Sequence, residues 1–122
     1  MSDKRTHIQD LKDLLQEFKE QRNWEQFHDA KNLAEAISIE AAELLELFLW
    51  KDSAAVTKRI KEDEEFKQKV GEELADVFAF CINFAIATDI DIATVVRDKV
   101  AKNAKKYPID KAKNTAEKYD KL

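Results

Sequence analysis

Between residues 8 and 20 apolar side chains fall at Ile8, Leu11, Leu15 and Phe18, with Asp10, Lys12, Asp13, Lys19 and Glu20 interleaved. A repeat of three to four residues marks an amphipathic helix whose charged face is solvated. The stretch Arg22-Asn23-Trp24-Glu25-Gln26-Phe27-His28 breaks the repeat. Asp29 then suits the N-cap of a second helix reaching about Trp50. In that helix the pattern changes: Leu33, Ile37, Ile39, Leu44, Leu45, Leu47, Phe48 and Leu49, with Ala34, Ala41 and Ala42, leave little of the circumference polar. A helix apolar nearly all round is expected to be buried. Asp52 or Ser53 can cap a short helical piece through about Ile60. A third long helix runs from about Asp63 to Thr88, again apolar over most of its surface through Leu74, Val77, Phe78, Phe80, Ile82 and Phe84. Gly71 in its early turns costs about 1 kcal/mol relative to alanine. Asp91 can cap a fourth helix to roughly Lys106, where Tyr107-Pro108 ends it because residues before proline avoid the helical region. The last fourteen residues read as an extended tail.

A single Gly and a single Pro in 122 residues leave few backbone punctuators, so the composition favours long helices over strands joined by tight turns. The reading is all-α, a bundle of about four main helices, with one domain over residues 1–109 and a lysine-rich C-terminal tail over 110–122. Cys81 is the only cysteine and reads as a small core residue. With no disulfide possible within the chain and no apolar N-terminal stretch resembling a signal peptide, a reducing cytoplasm is the expected home. The longest apolar run, Val77 to Ala87, is interrupted by Asn83 and falls well short of the roughly 20 residues a membrane span needs.

The net charge of −4 divides unevenly: residues 1–96 carry 21 acids against 12 bases, and residues 97–122 carry 9 bases against 4 acids. The acidic balance argues against general nucleic-acid binding. The basic C-terminal segment suits either a phosphate group or plain solvation.

Charged residues make up 38% of the chain, so acidic pairs three residues apart, such as Asp10/Asp13 or Glu62/Glu65, arise by chance. Glu40/Glu43 and Glu73/Asp76 differ in their surroundings, because residues 32–50 and 70–96 contain no Lys or Arg. Each pair lies on one face of its helix and makes a clamp, provided the two helices pack antiparallel. Buried carboxylates without a cation either take up protons or hold a metal ion. Four hard oxygen ligands suit Mg²⁺ or Mn²⁺, and Mg²⁺ takes its remaining ligands from water and substrate phosphates. Glu46 and Glu72 are placed to orient water. The same acids also suit ordinary solvated stripes, or pairing with lysines of another helix.

Lys99, Asn103 and Lys106 fall at i, i+4 and i+7 on the fourth helix, one face able to meet a polyphosphate. A lysine-rich helix end that suits the macrodipole has the same appearance. Trp24, Phe27, His28 and Trp50 are the candidates for a nucleobase, which stacks on aromatic faces and hydrogen-bonds a histidine. They also suit plain core packing.

Trp24-Glu25-Gln26-Phe27-His28, then Glu40-Ala-Ala-Glu43-Leu-Leu-Glu46-Leu-Phe48-Leu-Trp50-Lys51, then Glu72-Glu73-Leu-Ala-Asp76-Val, together resemble the MazG-like NTP pyrophosphohydrolases, and within them the dCTP pyrophosphatase branch. The likeness covers roughly residues 8–109. It implies that Glu40, Glu43, Glu73 and Asp76 hold Mg²⁺ and that Trp24 to His28 and Trp50 form the base pocket. It further implies that Lys99, Asn103 and Tyr107 approach the phosphates or sugar. Lys106 stands where an arginine is common, Phe80 where the branch often has tyrosine, and Leu15 where a histidine can occur. The implied reaction splits the α–β phosphoanhydride of a (deoxy)nucleoside triphosphate, dCTP or a modified dCTP, into monophosphate and pyrophosphate. One carboxylate, Glu43 or Glu46, takes the proton of the attacking water. The resemblance also implies a homotetramer, a dimer of dimers. A non-catalytic helical adaptor and a hydrolase of other non-standard dNTPs are the competing readings.

Overall fold

The computed structural model describes residues 1–122 and contains helices and turns only. Six α-helices follow in order: α1 Ile8–Gln21, α2 Ala30–Glu46, α3 Ser53–Glu62, α4 Glu64–Thr88, α5 Ile92–Lys106 and α6 Ile109–Ala112. Short 3-10 turns span Glu25–Phe27 and Tyr119–Lys121. The fold is the all-α bundle the hydrophobic pattern predicts. The chain forms two compact units, Met1–Asp89 with α1 to α4 and Ile90–Leu122 with α5 and α6. No single helix is long and apolar enough to cross a membrane.

Local chemistry sets the helix starts. The N–H of Asn32 donates to Asp29 at 2.8 Å, that of Ala55 to Asp52 at 3.1 Å, that of Phe66 to Asp63 at 3.1 Å and that of Thr94 to Asp91 at 3.0 Å. Each carboxylate satisfies an N–H that the first helical turn leaves unpaired, worth about 1 kcal/mol. The third long helix of the sequence reading is α4, which packs against α1, α2 and α3. Two aromatic contacts fix the α2/α4 direction. His28, just before α2, meets Phe80 late in α4 at 6.4 Å between ring centres, and Phe48, just after α2, meets Phe66 early in α4 at 6.3 Å. The two helices therefore run antiparallel.

Four features depart from the sequence reading. First, α2 stops at Glu46 instead of continuing to about Trp50. The N–H groups of Leu47, Phe48 and Leu49 bond back three residues, to Leu44, Leu45 and Glu46, at 3.3, 2.9 and 3.3 Å. This tightened turn ends with Trp50 in the left-handed region at φ 62°, a conformation that costs a non-glycine residue about 1–2 kcal/mol. Second, the last fourteen residues are not simply extended. They form α6 and a 3-10 turn, and in this C-terminal unit Tyr119 packs edge-on against Tyr107 at 6.2 Å with the Lys106 ammonium 4.8 Å from its ring centre.

Third, Lys19 is buried rather than part of a solvated face, at 3% exposure. The Glu25–Phe27 turn folds over it: Trp24 N–H donates to the Lys19 carbonyl at 3.0 Å, and the Gln16 side-chain amide donates to Glu25. Burial lowers the Lys19 pKa, with Glu25 and Glu20 opposing the shift. Fourth, α2 and α4 are not enclosed by their own chain. Leu33, Phe66, Ile82 and Ala85 form the buried core, whereas Ile39 is 59% and Leu45 66% exposed, with Leu49, Leu74 and Phe78 also open.

Candidate active site

The two carboxylate pairs meet where α2 and α4 run alongside each other. One carboxylate oxygen from each of Glu40, Glu73 and Asp76 lies within 4.8 Å of the others. Glu43 is within side-chain hydrogen-bonding reach of both Glu40 and Glu73. Glu40 and Glu73 are half-buried, while Glu43 and Asp76 are open to solvent, so the enclosure expected from the apolar pattern is only partial. No Lys or Arg forms an ion pair with the group; Lys31–Glu35, Arg59–Asp63 and Arg97–Asp98 are ion pairs elsewhere in the chain. Burial, then the neighbouring carboxylates Glu43, Asp76 and Glu73, raise the Glu40 pKa, and burial with Glu43, Asp76 and Glu72 raises that of Glu73.

The residues fit a divalent cation. One oxygen each of Glu40 and Glu73, Oε2 in both, is buried without a hydrogen-bond partner, a state that disfavours the charged carboxylate until a cation or proton arrives. Opposite ligands of a Mg²⁺ ion stand about 4.2 Å apart, twice its bond length of about 2.1 Å, so small side-chain shifts would close the set. The donors are all hard carboxylate oxygens, and Cys81 lies outside the cluster.

These shifts have a consequence for metal-free protein. A folded-state pKa above the ordinary carboxyl value near 4.5 means that the native state binds more protons than the unfolded chain in the interval between the two values. Stability is then fully present below about pH 4.5 and falls as pH rises through the raised pKa values. Thermal melts in chelator are expected to show this decline, and Glu40→Gln/Glu73→Gln is expected to flatten it.

The aromatic candidates divide between neighbours and outliers. His28 is half-buried against Phe80, its Nδ1 is buried without a partner, and burial followed by the nearby Lys19 charge lowers its pKa. A neutral imidazole keeps one donor and one acceptor available. Trp24 caps the 3-10 turn and meets Phe18 edge-on at 5.7 Å. Phe27 is exposed, and Trp50 is 94% exposed. Full exposure of a left-handed tryptophan is explained neither by core packing nor by backbone preference. Lys99, Asn103, Lys106 and Tyr107 lie on and just after α5 in the C-terminal unit, all exposed.

Sequence reasoning missed a set of cations. A cavity of about 470 Å³ is lined by Glu43, Glu46 and Glu73 together with Lys51, Arg59 and Lys69. These cations come from outside the Lys- and Arg-free stretches, and only the packing of α3 and the turn after α2 onto α4 assembles them. The one signal available beforehand was the spacing of Lys69, Glu73, Asp76 and Phe80 along one face of α4.

Comparison with known proteins agrees with this geometry. Residues 35–122 match the MazG-like family. The dCTP pyrophosphatase 1 of Rattus norvegicus is 34% identical over 115 residues, covering 94% of this chain and 67% of the relative. The Homo sapiens dCTP pyrophosphatase 1 is 33% identical over the same shares. A crystal structure of a pyrophosphatase from Archaeoglobus fulgidus DSM 4304 superposes with a TM-score of 0.76 at 36% identity, covering 88% of this chain and 98% of that one. With an all-helical fold, a paired-carboxylate centre and these relatives, the chain belongs to the MazG-like family and is a nucleoside triphosphate pyrophosphohydrolase.

Proposed function

We propose that the enzyme hydrolyses the α–β phosphoanhydride of a deoxynucleoside triphosphate, dCTP or a modified dCTP, to the monophosphate and pyrophosphate. The observation that carries this reading is the carboxylate group spanning α2 and α4, with two buried oxygens lacking any partner. Glu40, Glu43, Glu73 and Asp76 would hold Mg²⁺, with Mn²⁺ able to replace it. The bound ion would neutralise phosphate charge and lower the pKa of a coordinated water. Glu43 or Glu46, both open to solvent beside the cavity, accepts the proton released by the attacking water. His28 with Phe80, and the exposed faces of Trp24 and Phe27, receive the base; a role for Trp50, beside Lys51 at the opposite end of the α2/α4 pair, rests on the family resemblance alone. Roles for Lys99, Asn103, Lys106 and Tyr107 at the phosphates or sugar rest on the family resemblance alone.

The preference for cytosine is supported by the names of the dCTP pyrophosphatase relatives. A homotetramer, a dimer of dimers, is supported by the apolar side chains that α2 and α4 leave uncovered. The free Cys81 accords with a reducing cytoplasm.

The test incubates purified protein with dCTP, 5-methyl-dCTP, dUTP, dTTP and dATP, with and without Mg²⁺, and separates pyrophosphate from orthophosphate. Pyrophosphate release that needs Mg²⁺ and is fastest with a cytosine nucleotide is the expected result. Fastest turnover of a non-cytosine nucleotide would transfer the assignment to another base. Orthophosphate alone would overturn the assigned bond.

A further inference from the structure

The antiparallel α2/α4 pair is chemically graded along its length. On α4, Lys69, Glu73, Asp76 and Phe80 fall at i, i+4, i+7 and i+11, one continuous face. At one end Phe80 meets His28; in the middle Glu73 and Asp76 meet Glu40; beyond them Lys69 lines the 470 Å³ cavity with Lys51 and Arg59. Along the axis Lys69 lies about 6 Å before Glu73, and Phe80 about 10 Å after it. The order is therefore aromatic and imidazole, then carboxylate, then cation.

The cations are held differently. Arg59 is positioned by its neighbours: its guanidinium lies 4.0 Å from the centre of the Phe66 ring and its Nε is 3.3 Å from Asp63. Neither Lys51 nor Lys69 takes part in an ion pair, although Glu43, Glu46 and Glu73 line the same cavity. Two ammonium groups beside carboxylates, yet beyond pairing distance, are available to a further anion.

We infer that Lys51, Arg59 and Lys69 form the subsite for the β- and γ-phosphates of the substrate, and hence for the departing pyrophosphate. This inference rests on the proposed reaction and gives it a direction: the nucleoside lies toward His28 and Phe80, the scissile bond at the carboxylates, and the leaving group toward the α3 side. A pyrophosphate group is the most highly charged part of the substrate, and point-charge lysines around a stacked arginine match it better than they match a sugar or base.

The test measures binding of inorganic pyrophosphate, tripolyphosphate and dCMP by calorimetry in the presence of Mg²⁺, together with KM and kcat for dCTP, using wild type, Lys69→Gln and Lys51→Gln/Lys69→Gln. Both lysines are exposed, so the fold is expected to survive, and a thermal melt checks it. Pyrophosphate and tripolyphosphate binding should weaken about tenfold in the single variant and about a hundredfold in the double. Binding of dCMP should change by less than about twofold, and KM for dCTP should rise more than kcat falls. Unchanged pyrophosphate binding overturns the inference, as does equal weakening of dCMP and pyrophosphate. If wild type turns over no nucleotide, the proposed function fails, while selective loss of pyrophosphate binding in the variants would still uphold the anion subsite.

Discussion

Glu73→Gln is expected to lower the rate of triphosphate hydrolysis by about a thousandfold while leaving the metal-free protein as stable as wild type or more so. The two effects share a cause. Glu73 has a buried oxygen without a partner and carries a raised pKa among Glu43, Asp76 and Glu72, so its charge opposes folding unless a cation neutralises it. The amide retains the shape, removes that charge and supplies an N–H donor toward neighbouring carboxylates. The variant would forfeit the hard anionic ligand proposed for the ion, and a thousandfold corresponds to about 4 kcal/mol of transition-state stabilisation. Steady-state kinetics paired with thermal melts in chelator measure both sides. A loss of activity accompanied by an equal loss of fold would make Glu73 a structural residue.

Leu33→Ala is expected to cost about 3 kcal/mol of stability and to lower the unfolding midpoint by about 10 °C. Leu33 lies in the first turn of α2 at 1% exposure, where truncation leaves a cavity in a small core. Ile39→Ala, on the same helix at 59% exposure, provides the contrast. In an isolated chain it should be nearly neutral. If copies associate through the uncovered faces of α2 and α4, its cost should grow with protein concentration, because association stabilises by mass action. Denaturant titrations at two widely separated concentrations distinguish the cases.

Local chemistry was the readable part of the sequence. Asp29, Asp52, Asp63 and Asp91 each accept the N–H three residues on, and capping depends on a single turn of chain. The approach of Glu40 to Glu73 and Asp76 was legible because residues 32–50 and 70–96 contain no Lys or Arg, an absence visible without any structure. Features set by tertiary approach were not. Lys19 follows the polar pattern of α1, yet the 3-10 turn from Glu25 to Phe27 closes over it. The left-handed Trp50 occupies a place where glycine would be expected, and no periodicity announces it. Lys51, Arg59 and Lys69 come from three different segments, so their gathering depends on how α3 and the turn after α2 pack, not on spacing.

The proposed reaction requires the carboxylates of α2 and α4 to obtain their counter-charge from a divalent ion. Calorimetric titration of metal-free protein with Mg²⁺ at neutral pH tests this most directly, with Glu40→Gln/Glu73→Gln as the comparison. Saturable binding to wild type that disappears in the folded double variant is the result predicted. Equal binding to both proteins, or none to a wild type that still hydrolyses triphosphate in chelator, would contradict it.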